Sequence, residues 1–390
     1  MIVRKAFRYR LKPTSGQRQT LSCFAGACRF VYNRGLAERK RLYEEENKSV
    51  SYYEQNVELT QLKKCEATSW LKDIHSQILQ QSLKDLDSGF KRFFRAKDGG
   101  YPRFKCKGIR DSFRYPQGVK TVDDTVYLPK IGWIRFIKSR EIEGELKQTT
   151  ISREGNHWYV SFSCAIEKSD PEPVRLNEDK AIGIDVGLKT YASCAIGKQN
   201  TPLNVQPPKF YHKLLPRLRA LQRRLSKKQK GGANWKKAKR QLAKLHAKIK
   251  HARENFAHQL STWIVKNHDI ICVETLKIKE LLQAKKYKLA RWVSDAGWRQ
   301  FLTYLSYKAK ELGKHFVEAG EYYPSTKLCS SCGGLQDMAL SDREYNCKAC
   351  GLSIDRDYNS SITIKAAGIS VLKACGAVPM SCGEARISLL

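Results

Sequence analysis

Residues 2–12, Ile-Val-Arg-Lys-Ala-Phe-Arg-Tyr-Arg-Leu-Lys, alternate apolar and basic side chains. That period of two predicts a half-buried strand, which Pro13 ends. From about Ser15 to Arg95 the period lengthens to that of a helix. Leu21, Phe24, Cys28 and Val31 share one face, followed by Leu36, Leu42 and Tyr43. Leu59, Leu62, Trp70 and Leu71 continue the pattern, and Ile78, Leu79, Leu83, Leu86, Phe90, Phe93 and Phe94 form a strong last helix. A small helical domain of three to five helices is expected. Gly99-Gly100 and Pro102 break the run. Phe113–Tyr115, Thr125–Leu128, Trp133–Ile137, Leu146–Ile151 and His157–Cys164 then read as strands, with a hairpin-like turn at Gly155-Asn156. They predict a small barrel, joined by the strand at 2–12 and interrupted by the helical insertion.

After a polar, Pro-containing linker the pattern changes again. Ala181–Gly187 reads as a buried strand ending in Asp185 and a turn, hairpin-linked to a second strand at Thr190–Ile196. Residues 208–266 are helical and broken at Gly231-Gly232. Leu214, Leu218, Leu221 and Leu225 on one side and Leu242, Leu245, Ile249 and Phe256 on the other predict an antiparallel helical hairpin. Asp269–Glu274 is another buried strand ending in a carboxylate, and 297–312 an amphipathic helix.

The chain of 390 residues suggests two to four domains. Its 72 Lys and Arg against 38 Asp and Glu give a net charge of +34. Solubility asks for a magnitude of only about 2–8 in a small domain, so a polyanion is the expected partner. Nucleic acid is the usual one and an anionic membrane the alternative. No stretch approaches the roughly 18 apolar residues of a membrane span. Arg4, Lys5, Arg8 and Arg10 leave no room for a signal peptide core. An intracellular protein is expected, in which most of the 13 Cys are small buried hydrophobes. The 8 His include no His-x-His pair, which excludes the ligand motif of tyrosine-type single-strand transposases. No acid occurs between Asp185 and Glu254, while Lys213–Arg253 holds 16 Lys or Arg. A solvated helical face normally mixes signs; this one reads as a nucleic-acid surface. Arg223, Arg224, Lys227, Lys228, Lys236, Lys237, Lys239 and Arg240 are its candidate contacts.

Cys329-Ser-Ser-Cys332 and Cys347-Lys-Ala-Cys350 have the spacing of two zinc knuckles, with Gly333-Gly334 and Gly351 where such turns need positive φ. The competing reading is redox dithiols or free thiols. One structural zinc is expected, with Tyr345 and Leu340 on the short strands of a ribbon. Asp185 and Glu274 each close an apolar strand, and a helix starting after Ile354 carries Asp355 and Asp357. Acids that converge from such distant positions repel one another unless they bind metal. A pair of magnesium ions about 3.5–4 Å apart, suited to phosphodiester hydrolysis, is the expected occupant. Asp355 competes with Asp357 as third ligand; Asp357 is favoured because Asp-Tyr-Asn opens the helix. The strand pattern around Asp185 is also that of an actin-like ATPase phosphate turn.

The order Gly-Ile-Asp185-Val-Gly, Val-Glu274-Thr-Leu, Tyr323-Pro-Ser-Thr-Lys-Leu-Cys-Ser-Ser-Cys-Gly and Asp355-Arg-Asp-Tyr-Asn resembles the TnpB family. These are transposon-encoded nucleases similar to the ancestors of type V CRISPR effectors. Ser294-Asp-Ala-Gly-Trp298 and Arg29-Phe-Val-Tyr-Asn33 match it too, so the likeness spans nearly the whole chain. Thr275 and Ser360-Ser361 depart from the family pattern without removing a ligand.

The resemblance implies an α+β multidomain fold: a wedge β-barrel with an inserted helical recognition domain, followed by an RNase H-like (RuvC) α/β domain carrying a zinc ribbon. On this chain the wedge takes residues 1–14 and 99–168, the recognition domain 15–98 and a linker 169–179. The RuvC domain with its basic hairpin takes 180–322, the ribbon 323–354, the final RuvC helix 355–370 and a tail 371–390. It further implies a prokaryotic, cytoplasmic, nucleoid-associated endodeoxyribonuclease of an insertion-sequence transposon. Asp185, Glu274 and Asp357 would be catalytic and bind magnesium; Cys329, Cys332, Cys347 and Cys350 would bind zinc. The partners would be a transposon-derived noncoding guide RNA and double-stranded target DNA with a short flanking motif, with one chain per RNA and no membrane. The alternatives are a guide-dependent DNA binder that does not cut and an RNA-independent transposase or resolvase.

Overall fold

The computed structural model describes residues 2–96, 99–108, 111–275, 287–320, 323–339 and 342–375. Leu276 of the strand motif, Leu340 of the expected ribbon and residues 376–390 of the expected tail lie outside them. The chain divides into two units, Met1–Ser169 and Asp170–Leu390.

In the first unit, β1 (Ile2–Leu11) buries Phe7, Tyr9 and Leu11 and exposes the basic residues between them. Thr14 closes a capping box with Gln17, each side chain taking up the other's backbone N–H, and starts α1 (Ser15–Glu46). Asn47, at φ 51°, ends it. Ser51 and Glu54 repeat the box at α2 (Tyr52–Lys64). A 3-10 helix (Glu66–Asp73) and α3 (Ser76–Arg95) follow. The periodicity therefore located the helices. Tyr43, Trp70 and Phe94, which it placed on helix faces, are exposed.

The strands β2 (Ser112–Tyr115), β3 (Lys120–Val122), β4 (Thr125–Leu128), β5 (Gly132–Ile137), β6 (Glu145–Glu154) and β7 (His157–Glu167) join β1 in one antiparallel sheet. Its order is β2-β6-β7-β1-β5-β4-β3, so the first strand of the chain does complete a sheet built after the helical insertion. The expected closed barrel is instead a curled half-barrel: among the described residues no pairing joins β2 to β3. The three residues of β3 are all exposed and offer no buried face with which to close. At the other edge β2 packs against α1 and α3. Sheet and helices share one core, in which the rings of Tyr9, Phe136 and Phe162 lie 5.1–5.9 Å apart.

In the second unit β8 (Ala181–Asp185), β9 (Ala192–Ile196), β10 (Thr201–Val205), β11 (Ile270–Glu274) and β12 (His315–Ala319) form a sheet of order β10-β9-β8-β11-β12. The first three are antiparallel, and β11 runs parallel to both β8 and β12. β10 and β12 carry no clean alternation and were not foreseen. The helices are α4 (Phe210–Ser226), α5 (Ala233–Asn267), α6 (Tyr287–Ala296), α7 (Trp298–Glu311) and α8 (Arg356–Ala374).

Alternation along β8 sorts the two faces. Ile182 and Ile184 pack with Ile271 and Val273 against Ala257 and Ile264 of α5 and Phe301 and Leu305 of α7. Ala181 packs with Ile270, Cys272 and Val317 against Ile364 and Leu372 of α8. Gly183 faces α8 as well. A β-carbon there would overlap the Ser361 carbonyl oxygen, and one at Gly368 would overlap the Cys272 sulfur. These two glycines let α8 lie directly on the strands, which positions its first turn over the strand ends.

Candidate active site and nucleic-acid face

Asp185 and Glu274 are the last residues of β8 and β11. The parallel register pairs Ile184 with Val273, which brings the two acids level on neighbouring strands. Asp357 enters from the first turn of α8, close to Gly187 in the loop after β8. Burial holds the Asp185 carboxyl well above the usual carboxylate range, and the charges of Glu274 and Asp357 push it further. Arg356 and the Val186 N–H oppose this. Burial also raises Glu274, against a hydrogen bond from Ser325. The three acids thus sit within electrostatic reach at one end of the sheet. Arg356 donates to Asp357 Oδ1 from Nε at 3.3 Å and Nη2 at 3.1 Å, and its side chain is mostly buried.

Asp355 does a different job. It ends β14 (Ser353–Asp355), paired with Glu344 of β13 (Glu344–Asn346), and its carboxylate caps α8 by accepting the Tyr358 N–H at 2.9 Å. The residue at the Thr275 departure donates its hydroxyl to the Ala319 carbonyl, tying β11 to β12.

The four thiols form a second cluster, with all sulfurs within 4.8 Å of one another. Cys329 and Cys350 are 3.7 Å apart and Cys332 and Cys347 3.6 Å. The two knuckles have the same backbone. Gly333 (φ 72°) donates to the Cys329 carbonyl at 3.1 Å, and Gly351 (φ 76°) to the Cys347 carbonyl at 3.0 Å. Backbone N–H groups of Cys350 and Ala349 help pull the Cys347 thiol down to about 6, which favours the ligating thiolate. Tyr345 is fully buried beside the cluster and donates to the Lys327 carbonyl at 2.9 Å. Four such sulfurs suit a tetrahedral ion such as zinc. Among the described residues the other cysteines correct the expectation of buried thiols: Cys28, Cys164, Cys194 and Cys272 are buried, whereas Cys23, Cys65, Cys106 and Cys375 are exposed. The sites of these four lie outside the packed faces, so nothing excludes water from them.

Arg223 and Arg224 lie on the last turn of α4, Lys227 and Lys228 in the turn beyond it, and Lys236, Lys237, Lys239 and Arg240 on the first turns of α5. All are exposed except the half-buried Lys228, and among the described residues none pairs with an acid. Leu218, Leu245 and Ile249 hold the two helices together beneath them. Two features of this kind escaped the pattern reading. Ser325 and Arg356 stand next to the acids but belong to motifs noticed for their neighbours. In the first unit, Phe94, Tyr101 and Phe104 are exposed among Lys91, Arg92, Arg95 and Arg103; the interleaving of rings and cations was the available signal.

The fold is that of the compact type V effectors. The chain is similar to a solved Cas12f1–sgRNA–target DNA complex, at 13% identity and a TM-score of 0.57 over 93% of this chain and 99% of that one. Residues 161–285 match the OrfB_IS605 family, described as a probable transposase, and 298–364 a Cas12f1-like TNB domain. Residues 1–48 match a helix-turn-helix domain, although here they form β1 and the uninterrupted α1. One relative is 36% identical over 393 residues, covering 97% of this chain and 95% of its own: the protein named "Putative RNA-guided DNA endonuclease InsQ" of Escherichia coli (strain K12). The CRISPR-associated endodeoxyribonuclease Cas12f1 of Sulfoacidibacillus thermotolerans is 24% identical over 239 residues, 58% of this chain and 54% of its own. The chain belongs to the TnpB family. Among the described residues no helix is long and apolar enough to cross a membrane.

Two outcomes follow from this geometry. Metal analysis of the purified chain should find about one tightly held ion, zinc, per chain. Cys332→Ser or Cys347→Ser should lose it and lower solubility; a fully soluble, zinc-free wild type would contradict the cluster. The second concerns pH. Asp185 and Glu274 are raised, so above the ordinary carboxylate range the folded chain keeps protons that the unfolded chain has released. Without added divalent ions, stability should fall as pH rises from about 4 towards the raised values and level off beyond them. Asp185→Asn should therefore raise the melting temperature more at about pH 7.5 than at about pH 4.5. Equal shifts in thermal melts at both would place the strain elsewhere.

Proposed function

We propose that this chain is an RNA-guided DNA endonuclease of an insertion-sequence transposon. The observation that carries the reading is the approach of Asp185, Glu274 and Asp357 at the ends of β8 and β11, in a chain 36% identical to the InsQ relative. The sheet order, with three antiparallel strands followed by two parallel ones, suits an RNase H-like (RuvC) domain. The half-barrel and its helical insertion would act as wedge and recognition domains, and the thiol knuckles as a zinc ribbon. The eight cations of the α4–α5 turn would neutralise backbone phosphates of guide RNA or heteroduplex, so sequence choice falls to base pairing. Such a protein would work as one chain per RNA, beside the DNA of a prokaryotic cell.

Half-buried oxygen donors, of which Asp185 feels the charges of the other two, fit hard divalent cations, and the three acids would hold magnesium, as two ions. When bound, they would supply a polarised water and charge stabilisation for phosphodiester hydrolysis. The chain's own residues arrange the donors. Arg356 holds Asp357 through two hydrogen bonds, and the Val186 N–H and the Ser325 hydroxyl favour the charged forms of Asp185 and Glu274. Asp355 is occupied as the cap of α8 and takes no part.

Asp185→Ala, Glu274→Ala and Asp357→Ala should each lower magnesium-dependent cleavage by at least about 100-fold while guide-directed DNA binding survives. Asp355→Ala should keep substantial activity. A dead Asp355→Ala beside an active Asp357→Ala would reverse the ligand assignment, and normal cutting by Asp185→Ala would remove the nuclease reading. Sequencing the RNA that copurifies separates a guided nuclease from an RNA-independent transposase. For the hairpin, Arg224→Glu with Lys237→Glu should weaken RNA binding evenly across guide sequences. It should also flatten the log–log salt slope by about 0.7–0.9 per lost phosphate contact. An unchanged slope would make the hairpin a solvated face.

A further inference from the structure

Helix α8 works on two sides. Towards the sheet, its Ser361 carbonyl and Lys365 lie against Gly183, and Gly368 lies against Cys272. Lys365 reaches past β8 to donate to the Gly197 carbonyl and the Asn200 side chain. Towards the thiol cluster, Asn359 and Thr363, one turn apart, grip the segment that leads into the first knuckle. Asn359 is fully buried. Its Nδ2 donates to the Leu328 carbonyl at 2.7 Å, and its Oδ1 accepts the Ser330 N–H at 3.0 Å. These two residues flank Cys329, so a single amide holds the knuckle from behind through both of its edges. Thr363 donates to the Ser325 carbonyl at 3.2 Å, and the Tyr323 hydroxyl donates to the Thr363 carbonyl at 3.2 Å. The Ser325 hydroxyl also lies close enough to Glu274 to act against the rise that burial gives its carboxyl. From the second knuckle the path is shorter still: Cys350 leads through β14 to Asp355, the cap of α8, two residues before Asp357.

We infer that Asn359 is a positioning residue through which the four-thiol site sets the placement of the carboxylates. The inference rests on the reading of Asp185, Glu274 and Asp357 as holders of divalent cations. The buried amide has partners only while the first knuckle keeps its shape, and the knuckle keeps its shape while its thiolates share an ion. Asn359, Thr363 and Ser325 then fix the first turn of α8 and the carboxylate of Glu274 against each other. Groups that orient ligands from behind typically change metal affinity by 10–100-fold when removed. A residue that merely packed the helix would alter stability without altering that affinity.

The test uses the full chain with its copurified RNA and titrates manganese(II), reading free ion by electron paramagnetic resonance. Sites lost in Asp185→Ala are those of the carboxylates, as distinct from ions on the RNA. Asn359→Ala should weaken these sites by about 10–100-fold with zinc content and bound RNA unchanged. Ser325→Ala should weaken them too, and Ser325→Thr, which keeps the hydroxyl, should restore them. Should Asn359→Ala fail to fold, Thr363→Val removes one grip with little change of shape and should weaken the same sites. Wild-type manganese affinity in a folded, zinc-replete Asn359→Ala, or in Thr363→Val where that variant stands in, overturns this inference alone. No difference between the parent and Asp185→Ala overturns the proposed function and this inference with it.

Discussion

Acids gathered at one end of a sheet strain the fold unless they are protonated or share a cation, and much of the second unit is arranged so that three of them approach there. Asp185 and Glu274 come level because β8 and β11 run parallel in register, with every residue before them apolar or glycine. Asp357 joins them because Gly183 and Gly368 allow α8 to touch the strands. Each of these choices brings negative charges together and removes water, which raises the energy of the folded chain. Arg356, Ser325 and the Val186 N–H offset only part of it. Local consistency is given up at one place so that a positively charged occupant is strongly favoured there.

Elsewhere the imbalance has the opposite sign. The chain carries +34 overall, and its longest acid-free stretch is folded into two helices whose turn presents cations that pair with no acid among the described residues. The apolar seam of Leu218, Leu245 and Ile249 is what holds that repelling surface in shape. A polyanion lying on it would remove the self-repulsion, as a divalent cation would remove it among the acids. Both charged regions are therefore ordered by buried apolar contacts, and a partner of opposite charge would complete each. The thiol module has a third solution. Its core is little more than Tyr345 and the cysteines themselves, too small to fold alone, so an ion held by the four thiols would supply what burial cannot.

Much of this could be read from the chain. A period-two run gave β1, unbroken apolar runs closed by a carboxylate gave β8 and β11, and period-3.6 runs gave the helices, because burial repeats with the geometry of the element. Short-range motifs were equally legible: the CxxC knuckles and the one-sign tract each act within a few residues or by composition. β10 and β12 were not seen, since one is an edge strand with a proline and the other, His-Phe-Val-Glu-Ala, buries a polar His315 and leaves Phe316 half-buried, so its letters do not alternate as its burial does. Nor was the open half-barrel, because closure depends on whether two distant strands have buried faces to share.

The sequence by itself determined which acids, thiols and cations the protein has and the local element each sits on, because hydrophobic period and turn chemistry are local properties. Tertiary structure alone decided which of them meet. The letters favoured Asp357 over Asp355 only through the helix start; in the fold Asp355 becomes the cap and Asp357 faces Asp185, because the helix begins between them and turns their side chains in different directions. Arg356, Ser325 and Asn359 gain their roles only from contacts across long separations in the chain. Such contacts depend on how closely α8 can approach the sheet, and that distance is set by the absence of two side chains, at Gly183 and Gly368.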